Sequence, residues 1–118
     1  MKNQPFLKKL YNACAGIRWA WVAERNFRTH IILGSTTLVL FSIVQPAALW
    51  WALIILCISL ILAAELINSA VEALIDHLHP ELHVTVGQVK DMLAGMVLVL
   101  SVGAVMVAML ALYETLLI

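Results

Sequence analysis

The chain has 118 residues, of which 64% are hydrophobic and 12% are charged, and its mean hydropathy is +1.00. A soluble domain of average composition carries about 25% charged residues, so the composition excludes water as the main solvent of this chain. Positive and negative side chains balance, and no basic run carries interleaved aromatic residues. We therefore expect a membrane protein without a nucleic-acid partner.

The first part of the chain predicts an amphipathic helix over about residues 4–24. Phe6, Leu10, Cys14, Ile17 and Trp21 recur at helical spacing, and the basic residues of this segment lie off their stripe. Such a helix is typical of the headgroup region of a bilayer, where its basic side chains face lipid phosphates. We expect it to lie on the membrane surface.

Three transmembrane helices are predicted after it. Residues 29–64 contain no Lys, Arg, Asp or Glu, which is too long for one crossing of a hydrocarbon core of about 30 Å and long enough for two. We place the break at Gln45-Pro46, because proline disfavours helix at the residue before it. A second charge-free run covers residues 92–113. The predicted spans are about 27–45, 47–76 and 88–115, in a single all-α membrane domain over residues 1–118.

The basic residues predict the orientation. Six of the seven Lys and Arg residues precede the first charge-free run, and the seventh, Lys90, comes just before the second one. The positive-inside rule puts both segments in the cytoplasm. We expect a multi-pass membrane protein with a cytoplasmic N-terminus. Oligomerisation is also expected, because three helices enclose little interior of their own.

Polar residues continue the second span beyond its apolar run. Asn68, Glu72 and Asp76 follow Glu65 at offsets of three, seven and eleven, so the four share one helix face. At the standard helical rise Glu65 lies roughly 22 Å from Trp50, near the inner edge of the hydrocarbon. Carboxylates at that depth are costly unless they face a partner, a cavity or an ion. The alternative, a polar face of a helix leaving the membrane, fits Asp76 best and Glu65 and Asn68 worst.

Further charges point to phosphate and metal chemistry. Several acidic groups on one face repel unless cations hold them, and oxygen ligands suit Mg²⁺, which takes one or two carboxylates plus substrate phosphates. Glu24 adds a carboxylate at the same level, between the surface helix and the first span. Lys90-Asp91 begins the third span, where an ammonium can reach a phosphate. A salt-bridged hinge and a helix cap are the structural alternatives for these two elements.

Other familiar sites fit the sequence less well. His77, His79 and His83 with Glu81 could form a zinc site, but this stretch is more typical of a solvated interfacial loop. The chain has neither a GxxxxGK[ST] phosphate loop nor a GxGxxG motif. A nucleotide bound here is therefore not held by either of these phosphate-binding loops, which are typical of soluble nucleotide-binding domains.

The stretch Glu65-Leu-Ile-Asn68-Ser-Ala-Val-Glu72-Ala-Leu-Ile-Asp76, followed by Lys90-Asp91-Met-Leu-Ala-Gly, resembles the signature of the small prokaryotic diacylglycerol kinase and undecaprenol kinase family. The resemblance covers nearly the whole chain, including the surface helix, the hinge and the three spans in order. It implies a homotrimeric enzyme of the bacterial cytoplasmic (inner) membrane, with sites that are shared between protomers and face the cytoplasm. Its reaction would transfer the γ-phosphoryl group of MgATP, the co-substrate, to the hydroxyl of a membrane lipid.

The resemblance also implies a role for each matching position. Glu65 would be the general base on the lipid hydroxyl, and Glu24 and Glu72 would be the Mg²⁺ ligands. The residues on the nucleotide and phosphate side would be Lys90, Asp91, Asp76 and Asn68. Candidate contacts to lipid or nucleotide, left open by the sequence, are Arg18, Trp21 and Arg28.

The acceptor lipid is the least determined part of this expectation. The family resemblance implies diacylglycerol, which would become phosphatidic acid, with undecaprenol as the alternative acceptor. Residues 24–30, His79-Pro80 and Ala94-Gly95 look closer to the undecaprenol kinase branch. From the residues alone, a small proton-coupled transporter competes with the kinase, but its acids would sit near the bilayer midplane and not at one end of a helix.

Overall fold

The computed structural model describes residues 3–81 and 83–118. Met1, Lys2 and Leu82 lie outside the described residues, and with them the predicted cytoplasmic position of the Lys2 charge. Its four helices are α1 (Phe6–Ala23), α2 (Arg25–Val44), α3 (Ala48–Leu78) and α4 (Val84–Leu117). Helices α2, α3 and α4 are each long and apolar enough to cross a membrane. The chain is therefore an all-α, multi-pass membrane protein, which confirms the predicted fold class.

Helix α4 begins at Val84, earlier than the predicted start near residue 88. The reason is a local cap: His83 has an extended backbone, and its Nδ1 accepts a hydrogen bond from the amide of Thr85 at 3.1 Å. A capped amide at this position satisfies one of the donors that a helix start leaves free. The connection between α3 and α4 is correspondingly short.

The turn between α2 and α3 contains the Gln45-Pro46 pair. Gln45 has φ 55° and ψ 61°, in the left-handed region, and its amide donates to the carbonyl of Phe41 at 2.7 Å. This arrangement ends α2 at Val44, and Pro46 follows before α3 begins at Ala48. Because the turn is short, α2 and α3 pack as antiparallel neighbours.

Helix α3 is the centre of the bundle and packs against each of the other three helices. Near the Gln45-Pro46 turn, its Ile54 is buried with Phe41 of α2 and Ala111 of α4. The Phe41 ring meets Trp51 edge to face, with ring centroids 5.6 Å apart and planes at 86°, a favoured aromatic geometry. We call this part of the bundle the turn end.

The opposite part of the bundle, which we call the hinge end, contains the junction of α1 and α2. A single extended residue, Glu24, separates these helices. The Arg28 guanidinium reaches back and donates to the carbonyls of Trp21 and Val22 at 2.8 and 2.9 Å. These bonds satisfy carbonyls that the end of α1 leaves without helical partners. Residues 13–20 of α1 and 66–70 of α3 line a common cavity, so α1 lies beside the polar part of α3.

Candidate active site

Three polar side chains are buried on α3 at the hinge end. The exposed fraction is 3% for Glu65, 8% for Asn68 and 4% for Ser69. Burial of a carboxylate costs free energy unless a partner or an ion compensates for the lost hydration. The buried Glu65 is therefore a candidate for a functional group, and the residues around it define the candidate site.

The nearest basic group to Glu65 belongs to His30 of α2. Its Nδ1 lies 3.1 Å from Glu65 Oε1, and the side chains are 22% and 4% exposed, respectively. The contact is close, but the ring N–H does not point along an in-line hydrogen bond. Sequence reasoning missed a role for His30. A signal was present, because His30 shares the inward face of α2 with the buried residues Phe27 and Gly34, at offsets of three and seven from Phe27.

Two further carboxylates lie within Coulombic range of Glu65. One is Glu24, in the hinge, and the other is Glu72, two turns further along α3. Both side chains are half-buried. We call Glu24, Glu65 and Glu72 the carboxylate cluster. The fold thus gathers in one place the three residues for which the family resemblance implies base and metal-binding roles.

The donors at this place fit a magnesium ion that arrives with a nucleotide. They are hard oxygen atoms, and Asn68 adds a buried Oδ1 that has no hydrogen-bond partner among the described residues. A buried acceptor without a partner requires an explanation, and a bound ligand is one. No group of three or more His, Cys, Asp or Glu side chains in residues 3–81 and 83–118 is arranged to hold a metal by itself. MgATP needs only one or two protein carboxylates, because phosphate oxygens and water supply the other ligands.

Lys90 and Asp76 form an ion pair next to the carboxylate cluster. Lys90 Nζ lies 2.7 Å from Asp76 Oδ1, which joins the start of α4 to the end of α3. The pair is open to solvent, so it contributes little to stability. Lys90 also lies within Coulombic range of Glu72. Its ammonium is therefore close to the cluster and held only by an exposed partner.

The other predicted site residues lie outside this group. Asp91 and Arg18 are exposed, and Trp21 is exposed while lining a shallow cavity against α2. Arg28 is engaged with the carbonyls at the end of α1. That capping role was not deduced from the sequence, which left Arg28 open between lipid and nucleotide contact.

An apolar cavity of about 160 Å³ lies between α2, α3 and α4 and includes His30 in its wall. Ile58 and Ile61 line it on α3, about two turns and one turn before Glu65, respectively. Gly34 brings α2 close to α3 here, since a Cβ at this position would stand 3.0 Å from Ile58 Cγ2. The cavity and the carboxylate cluster thus share a boundary at the His30–Glu65 contact.

Comparison with known proteins identifies the class. The sequence model of the prokaryotic diacylglycerol kinases matches residues 11–112. The diacylglycerol kinase of Helicobacter pylori strain 26695 is 36% identical over 85 residues, which is 72% of this chain and 66% of that protein. The diacylglycerol kinase of Escherichia coli K12 is 32% identical over 90 residues, or 76% of this chain and 74% of that one. The undecaprenol kinase of Bacillus subtilis is 30% identical over 105 residues, or 89% and 85%.

These relatives are all named as kinases of lipids. The chain belongs to the prokaryotic diacylglycerol kinase family, a family of lipid kinases, which confirms the resemblance seen in the sequence. It spans about two thirds of the length of the Helicobacter pylori relative.

Proposed function

We propose that this chain is an ATP- and Mg²⁺-dependent lipid kinase that transfers the γ-phosphoryl group of ATP to the hydroxyl of diacylglycerol, which gives phosphatidic acid. The observation that carries the proposal is the position of Glu65. Its buried carboxylate contacts His30, and His30 lines the apolar cavity between the spans. A lipid with its tail among apolar side chains would present its hydroxyl at such a boundary.

Glu65 is the proposed general base. Its carboxylate takes the proton of the lipid hydroxyl while the hydroxyl oxygen bonds to the γ-phosphorus. The bond from that phosphorus to the bridging oxygen breaks, and ADP leaves. A positioned base supplies roughly 10²- to 10⁴-fold in rate, and phosphoryl transfer otherwise needs mainly positioning and charge neutralisation. A site of this small size is sufficient for that chemistry.

The remaining residues are proposed to bind MgATP. Glu24 and Glu72 would hold the ion, which neutralises phosphate charge when it is bound. The Asn68 Oδ1, buried and without a partner in the described part of the chain, would orient a donor on the substrate or on metal-bound water. Lys90 would leave the exposed Asp76 for the transferring phosphate. Supporting positions, proposed from the family resemblance, are Asp76, Asp91, Arg18, Trp21 and Arg28.

We further propose a homotrimer in the bacterial cytoplasmic membrane, with sites shared between protomers and facing the cytoplasm. The apolar side chains of α4 are mostly exposed in the single chain, with Val99 71% and Met109 64% exposed, so lipid or another copy must cover them. The basic residues near α1 and at Lys90 favour the cytoplasmic side for the hinge end.

Undecaprenol is the second candidate acceptor. The match to the Bacillus subtilis relative, which is named as an undecaprenol kinase, covers more of this chain than the Escherichia coli match does. The chemistry of transfer is the same for either lipid, because each presents a hydroxyl from a membrane anchor.

Phosphorylation of lipid by the purified protein tests the proposal. The protein is incubated with radiolabelled ATP and Mg²⁺ in mixed micelles that contain diacylglycerol or undecaprenol. We expect label in phosphatidic acid and loss of that label when Mg²⁺ is chelated. If label appears only in undecaprenyl phosphate, the acceptor is undecaprenol and not diacylglycerol. The absence of labelled lipid with both acceptors would contradict the kinase and leave the transporter as the competing function.

A further inference from the structure

We propose that His30 is a positioning residue for Glu65, holding Oε1 of the carboxylate so that Oε2 accepts the proton of the lipid hydroxyl. The proposal rests on the proposed function of Glu65 as the general base. In the transfer step His30 keeps its own protons, and the hydroxyl proton ends on Glu65. The geometry behind the proposal is the 3.1 Å contact between Nδ1 and Oε1.

The charges around Glu65 explain why a contact from His30 would be needed. Glu65 is nearly fully buried, and the nearby charges of Glu24 and Glu72 are both of its own sign. Lys90, which lies within Coulombic range of Glu72, is paired with Asp76. A buried carboxylate in this position needs a donor to fix its orientation, because its neighbours repel it. The His30 ring is the group that the fold places there.

The position of His30 also relates it to substrate. Its ring lines the apolar cavity on one side and contacts Glu65 on the other. A hydroxyl that approaches Glu65 from the cavity passes this ring. The contact is not aligned as an in-line hydrogen bond in the chain alone. Catalytic hydrogen bonds commonly align only in the complex with substrate.

A second histidine–glutamate pair in the same chain provides a matched control. His79 Nδ1 lies 3.7 Å from Glu81 Oε1, and the side chains are 64% and 72% exposed. Both side chains are open to solvent, and the pair lies in the connection between α3 and α4. We therefore expect His79→Ala to leave kcat unchanged.

Three substitutions at His30 separate positioning from simple packing. His30→Ala removes the contact. His30→Asn keeps an amide nitrogen on Cγ, where the histidine has Nδ1, whereas His30→Gln moves the nitrogen one atom further out. Each variant is assayed for lipid phosphorylation in mixed micelles, with kcat and the KM for MgATP measured separately and folding checked by thermal unfolding.

We expect His30→Ala to lower kcat by roughly 10- to 100-fold, the range for a reacting group displaced by up to about 1 Å. The KM for MgATP should stay within about twofold of the wild-type value, since the nucleotide contacts remain. His30→Asn should recover most of kcat, and His30→Gln should not. Packing alone predicts a different pattern, in which the melting temperature falls and kcat per folded molecule does not.

The outcomes distinguish this inference from the proposed function. A wild-type protein that labels no lipid overturns both. An active wild-type protein with unchanged kcat in folded His30→Ala overturns the positioning role alone. If His30→Ala does not fold, the comparison of His30→Asn with His30→Gln decides, and equal kcat values in those two variants overturn the inference.

Discussion

The two ends of the bundle bury different kinds of side chain, although α3 runs through both. At the turn end α3 packs apolar groups, with Phe41 0% and Ile54 2% exposed. At the hinge end it buries Glu65 and Asn68. Apolar burial stabilises a fold, whereas burial of a carboxylate beside two others costs free energy. The difference indicates that packing at the turn end stabilises the fold, whereas the buried polar groups at the hinge end lower its stability and form a reactive site.

The largest expected effect comes from Glu65→Gln at the hinge end. Loss of the proposed base should lower kcat by about 10²- to 10⁴-fold. The melting temperature should hardly change, because the amide fills the same space and relieves repulsion within the carboxylate cluster. Lipid phosphorylation and thermal unfolding of the same sample measure the two quantities. Wild-type turnover in this variant would remove Glu65 as the base.

At the turn end, Phe41→Ala should lower the stability and leave kcat unchanged. Removal of a fully buried ring that contacts Trp51 should lower the free energy of unfolding by about 3–5 kcal/mol. The kcat of the folded fraction should stay at the wild-type value, because the ring lies far along the bundle from the carboxylate cluster. Unfolding by denaturing detergent, monitored by near-UV circular dichroism, gives the stability. A large loss of kcat in folded protein would break the division between the two ends.

A smaller effect is expected from Glu24→Gln and from Glu72→Gln. Loss of even a supporting group around a bound metal typically costs about 10- to 100-fold in affinity, so each substitution should raise the Mg²⁺ concentration for half-maximal activity by at least roughly that factor. Saturating Mg²⁺ should restore part of the rate. Titration of activity with Mg²⁺ at fixed ATP measures this shift, and Glu81→Gln in the exposed connection is the control. An unchanged requirement in both cluster variants would remove them as metal ligands.

The smallest effect is expected from Trp50→Phe at the turn end. Trp50 Nε1 donates a hydrogen bond to the Glu114 carboxylate and so links α3 to α4. The link is open to solvent, and its loss should cost about 1 kcal/mol or less. Thermal unfolding should therefore shift by a few degrees, with kcat unchanged. A shift as large as that of Phe41→Ala would show that the aromatic packing is not the main support of this end.

Much of the fold follows from one-dimensional patterns. The absence of charge over residues 29–64 predicts two spans, and the proline at position 46 predicts where they separate. The exact start of α4 did not follow, because it depends on a cap formed by His83, a residue type with no strong capping preference. Local side-chain geometry decided that boundary.

The site was predictable only within one helix. Offsets of three and seven place Asn68 and Glu72 with Glu65 on one face of α3 without any knowledge of the neighbouring helices. The contact from His30 joins two different helices, and its distance depends on how α2 packs on α3. The capping bonds of Arg28 likewise depend on the angle at the hinge. Periodicity in a single sequence carries no information on such distances.

We propose that the carboxylate cluster is divided, with Glu65 acting on the lipid and Glu24 and Glu72 holding the metal. Mn²⁺ binding in the presence of ATP tests it most directly, with free Mn²⁺ followed by electron paramagnetic resonance for the wild type and the three Gln variants. We expect Mn²⁺ binding to be at least tenfold weaker in Glu24→Gln and Glu72→Gln and to stay at the wild-type level in Glu65→Gln. Equal weakening in all three variants would contradict the division.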